Sequence, residues 1–441
     1  GADAVNPDIS AQDVNEPGSD PPVVIDTLPA GAPPTYVKRV GYWLEKALNI
    51  YLSPPFSMNN PAAGGRIPVY VEDYGFGGAT PSAFYIDNDL PADIVCAVAV
   101  HELFHMVQYQ YPGNGPWKWS IMEGGAVVAE DAVADLMNRY LDEAGVNFNG
   151  TGTQVNTNLS LISASYKSCL FWRYMAEQQS WDTTEPLIGV ETYRNVIEHC
   201  SAGSWATDDI KAAVRELPWY QDFYEFAYLD ASKQDRTCSE TLFGNYALAC
   251  YLKDLGVNLP DRRFDFMEDE EEIRIDNILL AVLPAPQQTA LAAVTLSGSG
   301  TVAPNASAVF NSSVNSFASR YYEVAIDPAV TNVDVHFKAS SGLSSSIFQI
   351  ALIDEDGQVR DIHRTDLSIY TKRITNLRDG KRLSKLGLVV SGADSSGNFS
   401  LNIAAAAPAP DVMITRWHSA LKTEYESGPF GWSWTWVSPD V

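Results

Sequence analysis

The HELFH stretch at residues 101–105 is the feature that most constrains the fold of this chain. Its two histidines face the same side only if the segment is helical, because residues i and i+4 share one face of an α-helix. Both imidazoles could then bind one metal ion, with the carboxylate of Glu102 beside them. Apolar residues precede the stretch, and Pro91 and Pro112 bound the segment. The pattern therefore predicts a buried helix over 91–111 that carries a metal site.

A third protein ligand is expected, because catalytic zinc usually takes three protein ligands and a water molecule. The next predicted helix, over 120–144, offers Glu123, which lies 18 residues after His105. That separation lets the chain reverse and return antiparallel. Gly124 and Gly125 follow, and each costs about 1 kcal/mol in a helix relative to alanine, so close packing against the HELFH helix is expected. The alternative is that Glu123 merely interacts with the helix dipole as a first-turn carboxylate.

The two motifs together resemble the gluzincin group of metallopeptidases. In that group a zinc site is divided between an HExxH helix and a following helix that begins E-G-x-A, as the EGGA stretch at 123–126 does here. Bacterial collagenases and hyicolysin-type peptidases are the most similar members, and thermolysin and the zinc aminopeptidases are more distant. The resemblance covers about residues 36–275 and rests on two motifs and their order. It implies a zincin-like catalytic domain.

The resemblance also implies roles for individual residues. His101, His105 and Glu123 would bind one Zn²⁺ ion, and Glu102 would be the general base. Glu130 lies seven residues after Glu123 and so on the same helix face. Zinc aminopeptidases carry a glutamate at this offset, which makes Glu130 a candidate partner for one of the ligand histidines.

Two further positions remain open on the same comparison. Thermolysin has an aspartate where this chain has Val127, which puts a thermolysin-like arrangement in doubt and leaves Asp131 as the alternative to Glu130. Tyr166 lies about as far past the ligand glutamate as the active-site tyrosine of collagenases, so it is the implied donor to the oxyanion. Tyr174 is the less favoured candidate, and a tyrosine in an amphipathic helix can equally belong to the core.

The segments 67–74 and 82–88 are rich in β-branched and aromatic residues and predict a pair of strands joined by a turn. By the resemblance they form the upper part of the zincin sheet, whose edge strand binds extended peptide substrate. Gly77, Gly78 and Ala79 in the turn are candidate substrate-binding residues that leave room for a peptide backbone; the alternative is an ordinary loop.

The predicted fold is an α+β zincin-like domain, mainly helical after a small sheet, followed by an all-β sandwich. Further helices are predicted over 36–52, 163–180, 188–200, 207–216 and 218–232, and short alternating strands recur after about residue 285. Four segments follow: an extended Pro/Asp-rich arm (1–34), the catalytic domain (35–280), the sandwich as an accessory domain (281–405), and a linker with an aromatic-rich end (406–441).

Charge and cysteine content indicate which binding partners, which location and which cysteine states to expect. The formal net charge of -26 disfavours nucleic acid and anionic membranes as partners, and no apolar run is long enough to span a bilayer. We expect a secreted protein whose signal peptide has been removed and whose parent continues past Val441. Cys238 and Cys250 could be bridged, whereas Cys96 is expected to be a buried free thiol.

The predicted function is that of a secreted zinc endopeptidase, which hydrolyses peptide bonds in protein or peptide substrates through a metal-activated water. One alternative is an aminopeptidase, although no G-x-M-E-N-type signature is present. Another is an adhesion or binding protein with a vestigial zinc site. The acidic run 268–272 could bind calcium, but such runs are usually solvated surface, so calcium is unsupported. The oligomeric state is not predicted.

Overall fold

The structure, a computed structural model, has a helical first part followed by a β-sandwich. The residues that it describes are 35–62, 65–90, 92–134, 158–178, 187, 189–215, 231–253, 294–378, 380–406, 425–428 and 431–434. The predicted N-terminal arm, residues 218–230 of the predicted helix 218–232 and the acidic run 268–272 lie outside these ranges.

Seven α-helices are described. They are α1 (Thr35–Leu52), α2 (Ala92–Gln108), α3 (Lys118–Val133), α4 (Cys169–Glu177), α5 (Val190–Ala202), α6 (Thr207–Arg215) and α7 (Ala231–Leu252), with 3-10 turns at Leu161–Ser163 and Ser165–Ser168 before α4. The first three form one packed unit. Tyr51 of α1 is buried and donates to the carbonyls of Val100 in α2 and Ala129 in α3, at 3.2 and 3.4 Å.

The small sheet lies beside α2. It comprises β1 (Val69–Glu72), β2 (Gly77–Ala79) and β3 (Phe84–Asp87) in the order β1-β3-β2. The predicted strand pair is present, but its two members run parallel, and the predicted turn between them is itself a strand that pairs antiparallel with β3. The chain therefore crosses over after β1, which places Gly77–Ala79 at the edge of the sheet next to α2.

The sandwich comprises β4 (Gly298–Val302), β5 (Ser307–Val314), β6 (Ala318–Ile326), β7 (Asn332–Ala339), β8 (Ser346–Asp354), β9 (Val359–Thr365), β10 (Ile369–Thr375), β11 (Leu377–Arg378), β12 (Lys381–Gly392) and β13 (Gly397–Ala406). Two four-stranded sheets have the orders β10-β7-β13-β5 and β11-β12-β8-β9, and β4 pairs parallel with β6. Phe337 of one sheet stacks on Phe348 of the other at 4.7 Å, because alternate residues of each strand point into the shared core.

The sandwich shares buried surface with the helical part. Every residue of β8 is buried, because one face lines the sandwich core and the other contacts α7. Leu248 and Tyr251 of α7 lie in a cluster with Ala351 and Ile353 of β8. Phe317, just before β6, belongs instead to the core of the helical part. The two parts are therefore joined by continuous apolar packing.

Several predicted boundaries were wrong. α2 ends at Gln108, before Tyr111, since the chain turns there ahead of Pro112-Gly113. Within the described part of predicted helix 163–180, only 169–177 is α-helical, and 3-10 turns precede it. Helix α7 was missed, because its sequence has only a weak apolar periodicity. The first described strand of the sandwich begins at Gly298.

The cysteine bridge was also wrong. Cys250 is a free, buried thiol, and positions 238 and 250 belong to one helix, about 18 Å apart at 1.5 Å per residue. Cys96 is free and buried, as predicted. In the C-terminal segment, β14 (Tyr425–Gly428) and β15 (Gly431–Trp434) form an antiparallel hairpin. Among the described residues, no helix is both long and apolar enough to cross a bilayer.

Candidate metal centre

Two adjacent helices bring three candidate ligands to one point. His101 and His105 lie on the same face of α2, with their ring centroids 4.6 Å apart. Glu123 of α3 faces them, and its Oε2 lies 3.3 Å from His101 Nε2 and 3.2 Å from His105 Nε2. All three side chains are buried. Ring nitrogens and a carboxylate oxygen therefore meet from both helices, as the spacing of the two motifs predicts.

Glu102 lies at the side of this cluster and is half-buried. The ligand atoms of His101, Glu102 and His105 all lie within 4.8 Å of one another, so these residues form a group that could hold a metal ion. Burial raises the pKa of Glu102, and the neighbouring histidine charges offset this in part. Its carboxylate is therefore a stronger base than an exposed glutamate.

The outward nitrogen of His101 also has a partner. Glu130, two turns after Glu123 on α3, places Oε1 2.7 Å from His101 Nδ1. The alternative residue, Asp131, points elsewhere, since its Oδ2 lies 3.3 Å from Nη1 of the fully buried Arg173. Of these two carboxylates, only Glu130 contacts a candidate ligand.

The electrostatics of the cluster reflect this close grouping. Burial by itself would lower the pKa of His101, but hydrogen bonds to Glu123 and Glu130 outweigh it and raise the value to about 10. Burial by itself would raise the pKa of Glu123, but hydrogen bonds to both histidines outweigh it and lower the value. A proton on the His101 imidazole therefore offsets the charge of the acidic groups, and a divalent cation could replace it.

Sequence reasoning missed Gln108. Its Oε1 lies 2.7 Å from His105 Nδ1, the same position that Glu130 takes at His101. A polar residue three positions after the second histidine of a buried helix, and on the same face, was the available signal.

The two glycines after Glu123 have separate packing reasons. A side chain at Gly124 would overlap Ser168 and lie 2.8 Å from Trp172, and one at Gly125 would overlap the phenol of Tyr193. The expected reason was contact with the HELFH helix. The neighbours are instead α4, the turn before it, and α5.

The two candidate tyrosines occupy different environments. Tyr166 is 41% exposed, and its ring stacks on His101 with a centroid distance of 5.4 Å and an angle of 18°. Tyr174 is buried in the core against Tyr246. Of these two tyrosines, only Tyr166 has a ring at the cluster, from the second position of the 3-10 turn Ser165–Ser168, which packs against α3.

The edge strand β2 borders the same site. A Cβ at Gly77 would overlap Val98 and lie 3.4 Å from Glu102 Cγ, so this glycine lets the strand approach α2. Gly78 is covered by the ring of Tyr74, and the carbonyl of Ala79 accepts a 3.5 Å hydrogen bond from Tyr109. Substrate binding by these three residues stays a prediction.

A cavity of about 540 Å³ opens beside His101 and Glu102. It has both apolar and polar walls, from β2, α2, α3 and the turn that carries Tyr166. Its lining residues are Phe76, Gly77, Ala97, Val98, His101, Glu102, Glu130, Ala164, Ser165, Tyr166 and Lys167. The cavity is large enough for a side chain and a stretch of backbone.

Comparisons with known proteins add no family. No protein-family model and no curated protein matches the sequence. Among solved structures, PliG from Aeromonas hydrophila, a periplasmic inhibitor of g-type lysozyme, is 12% identical over 24% of this chain and 97% of its own, with a TM-score of 0.16. PliG from Salmonella Typhimurium is 18% identical to this chain, with the same coverage of each chain and the same TM-score. A structure of Bacillus endospore appendages, which are disulfide-linked pili, is 12% identical over 23% of this chain and 90% of its own, with a TM-score of 0.15. Such low TM-scores carry no argument about fold or function.

Proposed function

We propose that this chain is a secreted, zinc-dependent endopeptidase, and that its helical part with the small sheet is a zincin-like peptidase domain. The observation that carries the proposal is the buried convergence of His101, His105 and Glu123, with Glu102 beside them. Burying several imidazole and carboxylate groups at one point carries a desolvation cost, which supports a ligand-binding role for the cluster.

The donor set fits zinc. Two histidine nitrogens and one glutamate oxygen are a ligand set of catalytic zinc, and bonds of about 2.0–2.1 Å in a tetrahedral arrangement separate ligand atoms by about 3.4 Å. The two distances from Glu123 Oε2 to the histidine nitrogens are 3.3 and 3.2 Å. When bound, zinc supplies Lewis acidity towards a carbonyl and lowers the pKa of a coordinated water.

In the proposed reaction, Glu102 would transfer the proton and Tyr166 would stabilise the negative charge that develops on the carbonyl oxygen. Glu102, whose pKa is raised by burial, accepts a proton from the attacking water and returns it to the leaving amine. Tyr166, stacked on His101 with an exposed edge, is the candidate hydrogen-bond donor to the oxyanion.

In this proposal, a peptide substrate would bind beside these groups. β2 is an edge strand of the small sheet, and an extended peptide can add to such an edge through backbone hydrogen bonds. The cavity next to Glu102 would take a side chain of that peptide, with Phe76 at its rim and Val98 in its wall. The strongly acidic composition supports an extracellular location.

The test compares Glu102→Gln with Glu45→Gln, an exchange of the same kind at an exposed position of α1. We expect zinc in both proteins, casein cleavage by the parent and Glu45→Gln, and none by Glu102→Gln. His105→Ala should lose zinc. Full activity of Glu102→Gln would rule out the assigned base.

Peptides with blocked and free N-termini separate the endopeptidase from the aminopeptidase. Cleavage of blocked peptides supports the proposal, whereas cleavage restricted to free N-termini would favour the exopeptidase. A parent protein that binds zinc but cleaves nothing in a broad peptide library would favour a vestigial site.

A further inference from the structure

The side-chain amide of Gln108 lies at the junction of three helices. It is 2% exposed at the end of α2. Its Oε1 lies 2.7 Å from His105 Nδ1, and its Nε2 donates to the carbonyl of Met122 at 2.9 Å and to the hydroxyl of Tyr193 at 2.8 Å. Every polar atom of this amide therefore has a partner.

The hydrogen-bond partners of Gln108 determine the orientation of its side-chain amide. The carbonyl of Met122 can only accept a hydrogen bond, so the NH₂ group of Gln108 must face it. The amide oxygen then faces His105, and because that oxygen can only accept, Nδ1 of His105 must carry a proton. In the neutral ring the lone pair is consequently on Nε2, the atom that lies 3.2 Å from Glu123 Oε2.

Tyr193 of α5 completes the arrangement. Its hydroxyl accepts from Gln108 and donates to the carbonyl of Ile121, one residue before Met122. The ring reaches this position only because Gly125 has no side chain there. The two carbonyls immediately precede Glu123 on α3, so the same contacts tie the backbone of one ligand to the ring of another.

We propose that Gln108 and Tyr193 are positioning residues that set the tautomer and ring orientation of His105 for metal binding. The inference rests on the metal site of the proposed function, but it assigns roles to two residues that take no part in the chemistry. Glu130 would orient the ring of His101 in the same way, through a carboxylate instead of an amide. The two ligand histidines thus have chemically different partners, one charged and one neutral.

The test uses Gln108→Leu, Tyr193→Phe and the control Gln110→Leu. Gln110 is two residues further on, and its amide donates to the carbonyl of Met106 at 3.1 Å, away from the cluster. Zinc affinity is measured by chelator competition. We expect Gln108→Leu to bind zinc about 10–100-fold more weakly than the parent, as is usual when a ligand's hydrogen-bond partner is lost. Tyr193→Phe should lose less, and Gln110→Leu should match the parent.

A second readout separates positioning from general damage. In the cobalt-substituted protein, the ring N–H protons of the two ligand histidines give separate paramagnetically shifted NMR signals. Gln108→Leu should expose the His105 proton to exchange with water and broaden its signal, while the His101 proton, bonded to Glu130, stays sharp. If Gln108→Leu does not fold, Tyr193→Phe, which keeps the ring beside Gly125, is judged by the same two measurements.

The outcomes are distinguishable. Unchanged zinc affinity together with an unchanged His105 signal in the variants would overturn the positioning role and leave the proposed function standing. Equal broadening of both histidine signals would also overturn it, because the effect would then be general loosening. A parent protein that binds neither cobalt nor zinc would refute the proposed function itself, and the positioning role with it.

Discussion

Phe317 provides a direct test of whether the sandwich is part of the same folded unit as the candidate site. It precedes β6, yet its ring is 2% exposed within the helical core. It packs edge-on against Trp117, at the start of α3, and against Phe243 of α7, with centroid distances of 4.8 and 5.8 Å. Its carbonyl accepts a 2.8 Å hydrogen bond from the amide of Leu161, at the start of the 3-10 turn Leu161–Ser163, which precedes the turn that carries Tyr166.

Replacing Phe317 with alanine removes the ring but keeps the backbone contacts. Phenylalanine-to-alanine changes in cores cost about 3–5 kcal/mol, since both burial and packing are lost. We expect a loss in the upper half of this range, because two edge-to-face ring pairs are lost together. Each such pair contributes about 0.5–1.5 kcal/mol beyond burial. With an unfolding entropy of about 2.1 cal/mol/K per residue, a loss of about 4 kcal/mol lowers the melting temperature of a single unit of 441 residues by roughly 4–5 °C.

Calorimetry and the near-UV signal of the buried tryptophans measure this change. The control is Leu367→Ala, an exposed position in the sandwich, which should stay within about 0.5 kcal/mol of the parent. We expect helical part and sandwich to melt together in the parent. A Phe317→Ala protein as stable as the control, or two independent transitions in the parent, would refute the claim of a shared core.

Three further predictions concern the site and its surroundings. Glu130→Ala should weaken zinc binding about 10–100-fold through its histidine partner, measured by chelator competition; equal affinity would contradict this partnership. Gly125→Ala should destabilise the protein, because the methyl group overlaps the ring of Tyr193; a thermal melt equal to that of the parent would contradict the packing. Phe76→Ala should change which side chain is preferred in a peptide-library cleavage profile, since this half-exposed ring lies at the rim of the cavity; an unchanged profile would exclude it from specificity.

One prediction depends on pH. Burial, with a smaller contribution from Asp209, raises the pKa of the Cys200 thiol to about 12. The thiol therefore stays protonated, and only thiolates react with iodoacetamide. Peptide mapping at pH 8 should find Cys200 unmodified in the folded protein and alkylated after unfolding in guanidine. Modification of the folded protein at pH 8 would contradict its burial.

Features whose geometry is local could be predicted from the sequence. The i, i+4 spacing of His101 and His105 places both on one helix face, and the two turns between Glu123 and Glu130 place those carboxylates on another. The alternation of β7 predicted a half-buried strand, because strand side chains alternate between faces. In each case one element's own period decides which side chains lie together.

The tertiary structure was needed to show which elements touch, because contacts between distant residues leave no periodic signal in either segment. It assigned Gln108 to His105 across a junction of three helices and set the exposed ring of Tyr166 against His101. The parallel pairing of β1 with β3 and the burial of Phe317 in the helical core have the same origin. A chain's local preferences specify its elements, whereas the packing of their apolar faces specifies how those elements assemble around the candidate site.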